Sequence, residues 1–198
     1  MGQLSFDPDR ARRAAERSCG TCSLCCTVLR VDELSKPAGQ NCGYQKGERG
    51  CGIHVSRPPV CRGYHCLWLQ GGLEDDERPD RTGGIVDLEP VGAAVQLAIR
   101  EVTPGAYDTS LALQNIAARY REEMPVRITN TEKLDDPDRP FRVLLAEDVE
   151  HRVAGETIEI FCGGRLGETK TLPFLERLAR RASIWRRKRA LKRLERRA

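Results

Sequence analysis

Eight cysteines lie between Cys19 and Cys66, and they open with Cys19-Gly20-Thr21-Cys22-Ser23-Leu24-Cys25-Cys26, a CxxCxxCC array. Two residues between cysteines let a tight turn aim both sulfurs at one ion, and Gly20 relieves that turn. Cys42 and Cys51 follow in a glycine-rich stretch, NCGYQKGERGCGIH, and Cys61 and Cys66 come next in RPPVCRGYHC. Reduced thiols at this density point to zinc or iron rather than to disulfides or inert buried cysteines. Adjacent Cys25 and Cys26 project in different directions in any regular backbone. One of them is therefore expected to serve a second site or to bridge two metals. Eight thiolates suffice for two zinc sites of four thiolates each. Alternatively, Cys19, Cys22 and Cys25 reproduce the CxxCxxC start of a bacterial 4Fe–4S ferredoxin motif, without its continuing Cys-Pro.

A site made only of thiolates is anionic. Lys46, Arg49, Arg57 and Arg62 lie among the cysteines and are the candidate counter-ions. His54 and His65, beside Cys51 and Cys66, could replace a thiolate or hydrogen-bond to one.

The whole pattern, CxxCxxCC, a further Cys, then C-x-I-[YH]-x-x-R-P-x-x-C-R-x-[YF]-x-C, resembles the YkgJ-type cysteine-cluster family. The residues that carry the resemblance are the eight cysteines with Ile53, His54, Arg57, Pro58, Arg62 and Tyr64, and it extends over about residues 18–88. His54 stands where many members have Tyr, and Gln45 where some relatives carry another Cys. The resemblance implies a zinc- or iron-chelating domain. One branch of that family, the flagellin lysine-N-methylases, adds a redox or methyl-transfer enzyme as an alternative. No phosphate-binding glycine motif, G-x-S-x-G elbow or HExxH is present. The run Glu74–Glu77 lacks the spacing of a calcium loop and is expected to be a solvated loop. Trp68 is expected to pack over the cysteines, Cys162 to sit on a strand face, and His151 to have no catalytic role.

These residues need a scaffold. The chain has 198 residues, 39% of them apolar and 5% aromatic, enough for one domain with a modest core. The spacing divides it into a charged, partly helical leader (1–17), a loop-rich cysteine module (18–84), an α+β unit (85–164) and a basic helical tail (165–198). In the α+β unit Val95, Leu97 and Ile99 alternate with smaller or polar residues, the period of a half-buried strand, paired with Gly84–Glu89 through Pro90-Val91-Gly92. Leu113, Ile116, Ala117, Tyr120 and Met124 form one helical face, with Asp108 or Thr109 as N-cap and Pro125 as stop. Val126 and Ile128 suggest a short strand. Phe141, Val143 and Leu145, then Ile158, Ile160 and Cys162, suggest two more around Ala154-Gly155. The expected fold is thus a small, mainly antiparallel sheet with a packed helix, after a module built on metal bonds rather than a core.

Charge separates the tail from the rest: residues 165–198 carry a net +10 and residues 1–164 a net −6. A helix from Leu172 with Arg186-Arg187-Lys188-Arg189 and Lys192-Arg193 could contact nucleic acid, making the protein a zinc-stabilised nucleic-acid binder. It could also lie on an anionic surface or dock on the acidic body of its own chain. No apolar run approaches the roughly 20 residues of a membrane span. The first residues show no secretory signal, and Phe6 replaces the Ser or Thr that a myristoylation motif at Gly2 requires. A cytoplasmic protein is expected.

Overall fold

A computed structural model describes residues 8–132, 136 and 138–195; the Gly2–Phe6 stretch considered for a lipid anchor lies outside them. Helix α1 (Pro8–Glu16) is followed by the cysteine region, which is mostly turns. Within that region sit short helices α2 (Cys25–Val28), α3 (Pro59–Gly63) and α4 (Pro79–Thr82). Next come strands β1 (Gly84–Val91) and β2 (Ala94–Glu101), helices α5 (Ala106–Thr109) and α6 (Leu111–Tyr120), and β3 (Val126–Asn130). The chain then runs through β4 (Phe141–Leu145), β5 (Val149–Ala154), β6 (Thr157–Cys162) and β7 (Arg165–Thr171) into the long helix α7 (Phe174–Glu195).

All seven strands form one sheet in chain order. Every pairing is antiparallel except β2–β3, where the parallel register needs the crossover that α5 and α6 supply. Across the sheet, Val86 pairs with Ile99 and Ile99 with Ile128, while Leu97 pairs with Val126 and Val126 with Leu144. These side chains share a face, and Leu113, Ile116 and Ala117 of α6 pack on it. Ser110 caps α6 by accepting from the Leu113 N–H at 3.4 Å. The cap is Ser110, not Asp108 or Thr109, because those residues belong to α5. The α6 helix also ends at Tyr120, before Pro125.

Four further expectations need correction. In β2 the residues Gln96–Ile99 are all buried, whereas Val95 is exposed, so the strand is covered on both faces rather than half-buried. Residues 165–171 are not part of a helical tail but the edge strand β7, whose side chains are all exposed. The cysteine region is not coreless either. Leu67, Trp68 and Leu73 belong to the same core as Leu97, Leu113 and Ile116, and the Leu67 N–H donates to the Val86 carbonyl. The Glu74–Glu77 segment is a capped turn, with Glu77 buried and paired to Arg119 at 2.7 Å.

Helix α1 has no buried residue. It is held from outside: Arg10 and Arg13 donate to the Gln70 and Gly71 carbonyls, and Arg17 to that of Trp68. Helix α7 docks on the acidic body through Arg177 and Arg181 to Glu156 and Arg180 to Asp138. No helix among the described residues is long and apolar enough to cross a membrane.

Candidate metal centre

The CxxCxxCC array folds as two consecutive turns. The Cys22 N–H donates to the Cys19 carbonyl and the Cys26 N–H to that of Ser23, with Gly20 at φ +52°. Cys25 and Cys26 are the first residues of α2. The second pair arrives on a small loop closed by Lys46 N–H to Gly50 O and Gly52 N–H to Tyr44 O. This loop lies directly on the first turn: a Cβ at Gly50, whose φ is +72°, would stand 2.8 Å from the Gly20 carbonyl oxygen. Gln45 ties the same two loops by donating to the carbonyl and hydroxyl of Ser23. Cys61 is carried by α3, which Pro59 starts at its first position. Cys66 follows Tyr64, whose hydroxyl donates to Asp87 at 2.7 Å. Arg100 donates to the same carboxylate oxygen, so this segment is anchored to β1 and β2.

All eight residues line two adjoining cavities of about 30 Å³ each, room for a water-sized particle. One is bordered by Cys26, Cys42 and Cys51, the other by Cys66; Cys19, Cys22, Cys25 and Cys61 border both. Electrostatic neighbours sharpen the division. Cys25 feels Cys26 most strongly and then Cys19 and Cys22, and Cys66 feels Cys22 and Cys19. Cys61 feels Cys26, Cys42 and Cys51, and Cys51 feels Cys26 and Cys42. Cys66 thus goes with Cys19 and Cys22, and Cys51 and Cys61 go with Cys26 and Cys42, while Cys25 joins the two groups through its contact with Cys26. Among the described residues, no three His, Cys, Asp or Glu side chains are already gathered tightly enough to hold a metal ion, and all nine cysteines are free.

Burial pushes the thiols of Cys22, Cys51 and Cys61 up, and that of Cys66 up to about 11. Cys25 donates its hydrogen to Cys26 and is itself driven far up. Cys26 is pulled down to about 6 by that bond, helped by Cys51, Lys36 and Arg57.

The counter-ions are not those expected. Of Lys46, Arg49, Arg57 and Arg62, only Arg57 borders the cavities, and its Nε is buried without a hydrogen-bond partner. The second cation is Lys36, which residue spacing does not reveal. A tight loop pairs Lys36 with Val31 and returns it to α2, where its ammonium donates to the Thr27 and Leu29 carbonyls. Burial lowers it, while Cys42, Cys26, Cys25 and Cys61 hold it charged. No local pattern around Lys36 marks it; only the fold of Val31–Lys36 does. His54 borders one cavity from an exposed position, and His65 borders neither, being turned to the Gly63 carbonyl. Cys162 lies exposed on β6, far in topology from the other eight. Comparison of the chain with family models, with curated proteins and with solved structures found no match.

Proposed function

We propose that this protein is a thiolate metal-binding protein that takes two ions, one in each cysteine group. The observation that carries the reading is that all eight thiols border two adjoining water-sized cavities, with Cys66 on one alone and Cys26, Cys42 and Cys51 on the other alone. Four sulfurs per ion is the donor set of structural zinc, and cavities of this size suit single ions better than an organic substrate. The donor chemistry fits in a second respect. Arg57 with an unpartnered buried Nε, and Lys36 beside the second group, supply the positive charge that two anionic sites require. Residues of the first group, Cys19, Cys22, Cys25 and Cys66, would hold one ion, and Cys26, Cys42, Cys51 and Cys61 the other. The resemblance to YkgJ-type chelating domains points the same way. A bound ion would crosslink loops that otherwise share only short hydrogen bonds.

A second reading follows from the first group alone. Cys19, Cys22 and Cys25 with a remote Cys66 have the ligand order of a 4Fe–4S site, three in a row and one distant. Elemental analysis of anaerobically purified protein decides. Two equivalents of zinc in a colourless protein support the zinc reading, and brown protein with iron and sulfide supports the cluster. C66S should remove the first group's metal and C51S the second's. Folded, metal-free wild type overturns both.

A further inference from the structure

Helix α7 has two unlike sides. Arg177, Arg180 and Ile184 recur at helical spacing and form the half-buried side toward the body, with Arg177 and Arg180 paired to Glu156 and Asp138. Lys188 pairs with Asp136 at 3.3 Å. The other side carries Phe174, Leu178 and Trp185 at i, i+4 and i+11, exposed by 65%, 49% and 58%, with Leu175 beside them. Arg189 stacks over Trp185 at 5.1 Å, and Lys192 continues the same stripe. Among the described residues, Arg186, Arg189, Lys192 and Arg193 have no carboxylate partner. The acidic body therefore neutralises the half-buried side of the helix and Arg181 at the edge of the stripe, and leaves the rest of the exposed side aromatic, apolar and cationic.

We propose that α7 binds an anionic lipid surface, with Phe174, Leu178 and Trp185 seated among the acyl chains and Arg186, Arg189, Lys192 and Arg193 at the headgroup phosphates. Three occupants could meet this side, and they differ in what they use. Nucleic acid would satisfy the arginines but leave Phe174, Leu175 and Leu178 in water. A second copy of the chain would cover the apolar stripe but bring two strongly positive helices together. A lipid surface uses both, because an interfacial helix needs apolar residues on one side and cations at their margin. The ion pairs to Glu156 and Asp138 hold the stripe outward, so no rearrangement of the body is required. The inference does not depend on the metal reading.

The test is co-sedimentation of the full chain with phosphatidylcholine vesicles, with and without about a quarter phosphatidylglycerol. Binding is expected only to the anionic vesicles, with a blue shift in emission from Trp185 that W185F removes; Trp68 is already buried. The exposed-site variant F174S/L178S should abolish pelleting with its thermal unfolding unchanged. R186Q/R189Q/K192Q should weaken binding by about a hundredfold, at about fivefold per cation. Pelleting unaffected by F174S/L178S, or none with either vesicle, overturns the proposal. Salt-sensitive binding to polyuridylate that survives F174S/L178S, without vesicle binding, would assign the helix to nucleic acid instead. Dimerisation lost in F174S/L178S, again without vesicle binding, would assign it to a second copy.

Discussion

The guanidinium of Arg17 lies 4.5 Å over the ring of Trp68 and also donates to the Trp68 carbonyl at 2.6 Å. Trp68 is part of the core and borders the cavity shared with Cys66. A leader helix without a single buried residue is thereby tied to the wall of the candidate metal centre.

Replacing Gly71 by Ala should undo this attachment. Its φ is +75°, and an added Cβ would stand 2.1 Å from the Arg10 carbonyl oxygen, which no side-chain adjustment relieves. Limited trypsin digestion should then cut at Arg10–Arg17 much faster than in wild type. R17A removes a cation–π contact and the hydrogen bond to the Trp68 carbonyl, about 1–2 kcal/mol together, as well as the exposed ion pair with Asp75, and should give a smaller change. Unchanged cleavage in G71A would show that α1 does not rest on Gly71.

Metal retention should depend on pH differently in the two groups. Cys22, Cys25 and Cys66 are all raised, so an ion entering the first group must displace at least their protons. Its affinity therefore rises with pH, by about tenfold per unit for each proton released. In the second group Cys51 and Cys61 are raised too, but Cys26 is pulled down by the hydrogen bond from Cys25, so fewer protons have to leave. On acidification the first equivalent released should come from Cys19, Cys22, Cys25 and Cys66. Chelator competition at stepped pH, repeated on C66S and C51S, reads the order; release of both ions together, or the reverse order, would contradict it.

Lys36→Met keeps the length of the side chain and removes its charge. The thiols then lose the cation that faces Cys42, Cys26, Cys25 and Cys61, three of them in the second group. Affinity for the second ion should fall by about 10–100-fold, the usual effect of losing an outer-shell partner, with the first ion held as before. Equal weakening at both sites would mean that Lys36 acts by supporting the fold.

Glu77→Ala should destabilise the protein by about 1–3 kcal/mol, measured by thermal or denaturant unfolding. Glu77 accepts from the Glu74 N–H and from Arg119, both at 2.7 Å, in a buried position. Its removal leaves that N–H unpaired. Arg119→Ala should cost less, because Arg119 is half exposed. A larger effect for Arg119 would place the energy in the ion pair rather than in the cap.

Much of this architecture is legible in residue spacing, and its gaps have physical causes. The helical face of Leu113, Ile116 and Ala117 and the strand at Val126–Ile128 follow from periodicity, because they pack on one core; at Phe141–Leu145 the strand is legible but its inward face is not, since Leu144 rather than Phe141, Val143 or Leu145 is the buried residue. Strand β7 is illegible for the opposite reason: with every side chain exposed, Arg165–Thr171 shows no alternation, and its charge blends into the tail. Among the cysteines, the turns of the CxxCxxCC array are written into their spacing, whereas the hydrogen bond between the adjacent Cys25 and Cys26 thiols is not. Which distant cysteine joins which group is not, since that depends on the loop that lays Gly50 against Gly20. Lys36 is hidden likewise, its place set by a tight return of the chain rather than by its neighbours in sequence.

Strand order that matches chain order has a kinetic consequence. From β3 to β7 each strand pairs antiparallel with the next along the chain, and between β4 and β7 only tight turns join them. That meander finds its register through local loop closure, the cheapest and fastest kind. Only the parallel seam between β2 and β3 must wait for α5 and α6 to form and fold back. The C-terminal half of the sheet is therefore a self-starting template, able to assemble before the cysteine loops have settled.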